Sequence, residues 1–160
     1  GTSSYYVTFS ITFLTAIILP VSLLGLTSFV AARLNKASVL DNFTRFGYAI
    51  IALDMAAHIA HNLFHLLAEG KSVFFTAMEL VGLNAPGGSP ALVSLEIIQF
   101  LQFGLIGLGL FGSLYAVYRI AQSNHQGRIV GLTFAPYAML MVVLAILNVV
   151  LFTLPMAMRM

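Results

Sequence analysis

The sequence predicts an all-α integral membrane protein: a single domain of four transmembrane helices in an up-down bundle, with a short interfacial helix. Two observations carry this prediction. Of 160 residues, 60% are hydrophobic and only 8% are charged, with a mean hydropathy of +1.00, whereas soluble domains carry about 25% charged residues. The apolar residues also fall into four segments, each longer than the roughly 20 residues that cross the hydrocarbon of a bilayer.

The spans and their connections follow from these segments in order. Spans are expected at about 5–34, 43–68, 91–121 and 130–158. Asp41 or Asn42 is placed to cap the second helix. The stretch NAPGGSP (84–90) combines residues that break regular structure, so it predicts a loop. Between Lys71 and Leu83 the apolar side chains recur on one side of a helix, which predicts the short interfacial helix.

Lysine and arginine are distributed unequally along this topology. Five of the seven lie in or beside the connections that follow the first and third spans: Arg33, Lys36, Arg45, Arg119 and Arg128. Only Lys71 and Arg159 fall on the opposite side. Because loops rich in lysine and arginine stay in the cytoplasm, we expect both of those connections in the cytoplasm. Both termini are then outside a bacterial inner membrane.

The composition excludes several kinds of site. Cysteine is absent, so the chain's own residues form no disulfide, thiolate metal site or iron–sulfur cluster. Glycine-rich phosphate loops and serine nucleophile elbows are also missing, and the net charge of +2 gives no indication of nucleic-acid binding. His125, in SNHQGR, is expected to be a solvated loop histidine. A first residue Gly1 and an apolar end are what a fragment of a longer protein would show.

One polar stripe interrupts the second span, in the stretch DMAAHIAHNLFH (54–65). The stripe, which we call the histidine face, consists of Asp54, His58, His61, Asn62, His65 and Glu69. At about 100° per residue these positions share one side of a helix. An ionisable side chain near the bilayer centre is costly and usually marks a functional site. Three histidines and an acid on one side therefore predict function rather than packing.

The other spans carry polar groups at a similar depth. Glu96 lies near the outer end of the third span, with Gln99 and Gln102 just deeper, and Asn148 lies in the fourth. We therefore expect a site in the outer half of the bilayer, built on His58, His61 and His65 with Asp54 and Glu96. The glycines of the third span, by contrast, predict plain close packing of helices. They are Gly104, Gly107, Gly109 and Gly112.

A transition metal is the first chemistry that this residue set supports. His61 and His65 are four residues apart, the spacing at which two imidazoles on one helix chelate one ion. Glu96 would add a third ligand, and Asp54 would either ligate or orient His58. Imidazole binds iron, copper and zinc alike, so the ion stays open.

Four other roles fit the same face. Haem b would need a second axial ligand from a partner subunit, or from Met139 or Met141, because every intramembrane histidine lies on the second span. Chains of acids and histidines within spans also form proton relays, and the same groups would contact a quinone. Polar stripes can, finally, hold helices of neighbouring subunits together.

Residues 43–70, FTRFGYAIIALDMAAHIAHNLFHLLAEG, resemble a segment near the C-terminal membrane part of bacterial 4Fe-4S-binding polyferredoxin-like membrane proteins of the NosR/NapH type. The core of the resemblance is the run HIAHNLFH, which contains His58, His61 and His65. It implies a module that moves electrons between the quinone pool, or a cytoplasmic donor, and the outside. The cysteine clusters of that family are missing from these residues, so kinship implies that they lie in another part or subunit.

The sequence thus predicts a membrane subunit of a respiratory-type electron-transfer complex, without an identified catalytic residue. Its expected partners are the lipid bilayer and other membrane subunits, with quinone as a candidate ligand. A metal-ion or proton transporter, or a metal-handling membrane protein, is the alternative from another class. A structural assembly subunit is the third.

Overall fold

The computed structural model describes residues 2–84 and 88–153, and every regular element in these ranges is a helix. The helices are α1 (Thr2–Asn35), α2 (Val39–Gly47), α3 (Ile50–Leu80), α4 (Leu95–Asn124) and α5 (Arg128–Thr153). Four stretches are long and apolar enough to cross a membrane: Tyr6–Asn35, Val39–Leu80, Leu95–Asn124 and Arg128–Thr153. The predicted fold class, an all-α membrane protein with four spans, is confirmed. Positions 154–158 of the fourth predicted span and 85–87 of the predicted loop lie outside the described residues.

The surfaces of these helices are apolar, as contact with lipid requires. Large hydrophobic residues are exposed along each spanning helix, with Phe100 at 77%, Leu108 at 70% and Phe111 at 72% on α4 alone. Soluble monomers rarely expose apolar patches of such extent. The chain is therefore an integral membrane protein whose neighbours include lipid.

The second span begins earlier than predicted and is interrupted once. Ser38 has an extended backbone (φ −69°, ψ 150°), and its hydroxyl accepts the N–H of Asp41 at 3.0 Å, which makes Ser38 the cap of α2. The prediction that Asp41 or Asn42 caps the helix is therefore wrong, since both lie inside α2. Between α2 and α3 the backbone tightens into bonds three residues apart, from Ala49 N–H to the Phe46 carbonyl and from Ile51 N–H to the Tyr48 carbonyl.

The segment predicted as a separate interfacial helix is helical as far as Leu80, but it continues α3 without a break. At Gly70 the chain after the loop returns to this helix. The Lys71 N–H donates to the Pro90 carbonyl at 3.0 Å, and the Leu92 N–H donates to the Leu67 carbonyl at 2.7 Å. A Cβ on Gly70 would lie 2.6 Å from a methyl carbon of Leu92, so glycine permits this approach.

Contacts divide the chain into two units. The first comprises the residues up to Ile51 together with Ser113–Leu144. At its centre the ring of Phe46 stacks on that of Tyr137, with centroids 4.0 Å apart and planes 9° from parallel. The Tyr137 hydroxyl donates to Ser28 Oγ at 3.0 Å, and Ser28 donates to the Leu24 carbonyl at 2.7 Å. The buried hydroxyls of Tyr137 and Ser28 are thus paired, as hydrocarbon surroundings require, whereas Thr133 Oγ1, also buried, has no hydrogen-bond partner among the described residues.

The second unit comprises Ala52–Gly112 together with the residues from Ala145 on. Here α3 packs on α4 through small residues, as the glycines of the third span predicted. A Cβ on Gly109 would lie 2.5 Å from Ala56 Cβ, and one on Gly112 would lie 3.1 Å from Ala52 Cβ. Gly104 and Gly107 have open space at the corresponding position, so they do not contribute to this contact.

Candidate functional site

The histidine face lies on α3, on the side of the helix opposite to its contact with α4. The side of α3 that packs into that unit carries Leu53, Ala56 and Ala60, all buried. Every residue of the histidine face is exposed. At about 100° per residue the two sides are centred roughly 155° apart. The helix therefore buries its small apolar side and presents its ionisable side outward.

Gln102 explains how α3 is held in this rotation. Its side chain is buried, and its Nε2 donates to the Ala60 carbonyl at 3.0 Å. This bond fastens the packed side of α3 to α4 and complements the small-residue contact at Gly109. Gln102, which the sequence placed in the polar layer of the site, thus holds helices together and does not face the histidines.

Contacts along the histidine face connect neighbouring turns of α3. The rings of His61 and His65 are 5.0 Å apart, centroid to centroid, and nearly perpendicular at 79°. His65 Nδ1 lies 3.5 Å from Glu69 Oε2, with 50% and 63% of the two side chains exposed. Asn62 Nδ2 donates to the His58 carbonyl at 2.8 Å. The face is a continuous polar surface with one histidine–carboxylate contact.

Glu69 is a residue whose role the sequence did not identify. Its carboxylate lies on the Nδ1 side of His65, so Nε2 is the ring nitrogen that Glu69 does not contact. Carboxylates in this position fix the orientation of ligating histidines and raise their basicity. The spacing of four residues between His65 and Glu69 was the available signal, because it places both on one side of the helix.

The five predicted site residues do not converge. Glu96, in the first turn of α4, is exposed, as are Asp54 and His58. Within residues 2–84 and 88–153, no three His, Asp or Glu side chains come together as a metal site. What the structure brings together is the series His61, His65 and Glu69. The participation of all five residues in a site stays a prediction.

His125, expected as a solvated loop residue, is instead half-buried and bonded. Its Nε2 lies 3.3 Å from Nδ2 of Asn35, a buried residue at the end of α1. The expectation was wrong because the sequence did not reveal that the α4–α5 turn packs against the α1–α2 connection. Two asparagines seven residues apart, Asn35 and Asn42, were the only trace of this contact in the sequence.

Comparison with known proteins gave no match: no family model, no curated protein and no solved structure is similar to this chain. The resemblance of residues 43–70 to 4Fe-4S-binding membrane proteins therefore stays a prediction.

Proposed function

We propose that the chain is a membrane subunit of a respiratory-type electron-transfer complex, and that its histidine face forms one half of a cofactor site which another subunit completes. The observation that carries this proposal is the outward exposure of Asp54, His58, His61 and His65 on an otherwise apolar helix. In the orientation we propose, both basic connections are cytoplasmic and both termini lie outside the bacterial inner membrane.

Exposure to lipid alone would be unfavourable for this face. Insertion of a spanning helix into the bilayer costs about 2.5–3.5 kcal/mol more when an acidic side chain lies at its centre. Burial of the ionisable groups inside the bundle would remove part of that cost, but α3 is rotated the other way. A neighbouring subunit that supplies polar or metal-bound partners removes it instead.

A transition metal fits the contacts of His61 and His65. A tetrahedral ion with nitrogen bonds of about 2.1 Å separates two ligand rings by about 5 Å between centroids, and the observed separation is 5.0 Å. Glu69 beside His65 Nδ1 supplies the orienting carboxylate. Since no third ligand converges among the described residues, the remaining ligands would come from the partner. A bound iron or copper ion would supply a one-electron redox centre.

Haem b is the second cofactor that the face could ligate. One imidazole, from His61 or His65, would serve as an axial ligand, with the other supplied by the partner subunit. The pairing of two histidines and a carboxylate on one helix favours a metal ion, because haem requires only one ligand from each side. A quinone would use the same groups as hydrogen-bond donors.

The test is the cofactor content of the complex, purified from its native membrane in a mild detergent. Elemental mass spectrometry measures iron, copper and zinc, and the absorbance of the pyridine adduct measures haem. We expect a stoichiometric metal that is lost in the double variant His61→Ala/His65→Ala and retained in His125→Ala, which removes a histidine outside the face. Glu69→Gln should weaken metal binding by roughly 10–100-fold.

Three outcomes would contradict the proposal. A complex that contains neither metal nor haem would exclude a cofactor on this face. Loss of partner subunits from the metal-free double variant, without any change in a cofactor, would favour a structural assembly subunit. Proton or metal flux into liposomes that contain the chain alone, abolished by the double variant, would favour a transporter.

A further inference from the structure

A buried amide pair marks one end of the first unit. Helix α1 ends at Asn35, and the next residue, Lys36, adopts the left-handed conformation (φ 58°). Asn35 and Asn42 exchange two hydrogen bonds: Nδ2 of Asn35 donates to Oδ1 of Asn42 at 3.2 Å, and Nδ2 of Asn42 donates to Oδ1 of Asn35 at 3.3 Å. Asn35 Oδ1 also accepts the Ala37 N–H at 3.0 Å. The α1–α2 connection is therefore fixed from within.

Two further contacts join the end of α4 and the turn after it to the end of α1 and to α2. Asn35 Nδ2 lies 3.3 Å from His125 Nε2. The Arg45 guanidinium donates through Nη1 to Oδ1 of Asn124. We call the residues Asn35, Asn42, Arg45, Asn124 and His125 the loop junction. It brings the two most basic connections of the chain to one place.

The charges around the loop junction are strongly unbalanced. Five exposed cations belong to the first unit: Arg33, Lys36, Arg45, Arg119 and Arg128. The only acid of that unit is Asp41, also exposed. Among the described residues, the one contact between a basic and an acidic side chain is that of His65 with Glu69, in the other unit. The five cations are thus available to an external anion.

Two of these arginines are held by aromatic rings of their own helices. The guanidinium carbon of Arg33 lies 4.8 Å from the centroid of the Phe29 ring, and that of Arg119 lies 6.0 Å from the centroid of Tyr115. Such contacts hold a guanidinium near a ring face without using its N–H donors. Arg45 likewise keeps donors free, because only its Nη1 is bonded to Asn124.

We propose that the loop junction and its five cations bind the headgroup of an anionic phospholipid. Guanidinium groups match the geometry of a phosphate through two parallel hydrogen bonds. The apolar helices make lipid the neighbour of this end of the unit, so acyl chains can lie along them while the phosphate meets the arginines. Basic pockets between spanning helices bind anionic headgroups in this way.

The test is a titration of the intact protein, as purified in a neutral detergent, with phosphatidylglycerol and with phosphatidylcholine. Native mass spectrometry counts the lipid retained. We expect phosphatidylglycerol to bind at least roughly tenfold more tightly than phosphatidylcholine, since about 1 kcal/mol per nearby cation favours the anionic lipid. Arg45→Gln should weaken the binding of phosphatidylglycerol about fivefold on the same basis.

Arg119→Gln is the second variant, because Arg119 lies over the exposed ring of Tyr115 on its own helix and is not one of the loop-junction residues. This variant should also weaken the binding of phosphatidylglycerol about fivefold. Lys71→Gln, which removes a cation from the second unit, should leave the binding unchanged.

Equal retention of both lipids would overturn the proposal. So would an equal loss of binding in Lys71→Gln, because the effect would then follow net charge alone. Displacement of the lipid by millimolar inorganic phosphate would show a free-anion site instead. The titration is independent of the histidine face, so its result stands whether or not that face binds a cofactor.

Discussion

Replacing Asn35 with alanine should destabilise the first unit by about 2–3 kcal/mol. The substitution removes both partners of Asn42, which is only 2% exposed. A buried polar group without a partner costs about 1–3 kcal/mol, and two atoms of Asn42 are affected. Water near the membrane surface offsets part of this cost, which sets the estimate at the lower end of the sum.

The double variant Asn35→Ala/Asn42→Ala makes the prediction specific. Once both amides are gone, no orphaned group is left within the pair, so the double variant should cost about 1–2 kcal/mol less than the sum of the single ones. Spanning helices show average couplings of about 0.6 kcal/mol for each hydrogen bond, and this pair has two bonds.

The assay is reversible unfolding in mixed micelles, with sodium dodecyl sulfate as denaturant. Asn62→Ala is the control, because Asn62 is exposed and bonds only within its own helix. It should change the free energy of unfolding by no more than about 0.5 kcal/mol. Additive single variants, with a coupling near zero, would refute the assignment of a reciprocal amide pair.

Three further predictions concern packing and capping. Gly109→Ala should lower the free energy of unfolding by about 1–3 kcal/mol, since the new Cβ would also meet backbone atoms of α3 at 3.1 Å. Gly107 has open space at the corresponding position, so Gly107→Ala should leave the free energy of unfolding unchanged or raise it slightly in the same assay. Tyr137→Phe should cost about 0.5–1.5 kcal/mol by loss of its bond to Ser28, and an unchanged midpoint would contradict that bond. Ser38→Ala should lower the free energy of unfolding by about 0.5–2 kcal/mol through loss of the α2 cap. Ser38→Asp, which keeps a capping oxygen, should leave the free energy of unfolding close to that of the unchanged protein.

Hydrophobic length and loop composition were sufficient to predict the four spans. A segment of apolar residues longer than the hydrocarbon has few alternatives to a spanning helix, because its backbone must satisfy its own hydrogen bonds. The same reasoning could not locate the start of the second span. Ser38 caps α2 through one local bond, and several nearby residues offered an equivalent oxygen.

The histidine face shows where sequence reasoning about the site ended. Helical spacing alone placed Asp54, His58, His61 and His65 on one side of α3, and the structure agrees. This spacing does not show whether that side of α3 packs against other helices of the chain or is exposed. The rotation of α3 depends on Ala56 meeting Gly109 and on Gln102 bonding to Ala60, which are contacts between residues more than forty positions apart.

The sequence by itself determined that this protein crosses a membrane and that Asp54, three histidines and Glu69 form one stripe on one helix, because both properties follow from local composition and period. Tertiary structure alone decided that the stripe points outward and that Asn35 Nδ2 lies within hydrogen-bonding distance of His125 Nε2. These depend on which helix faces meet, and that choice is made by small residues and single hydrogen bonds whose partners lie far apart in the chain.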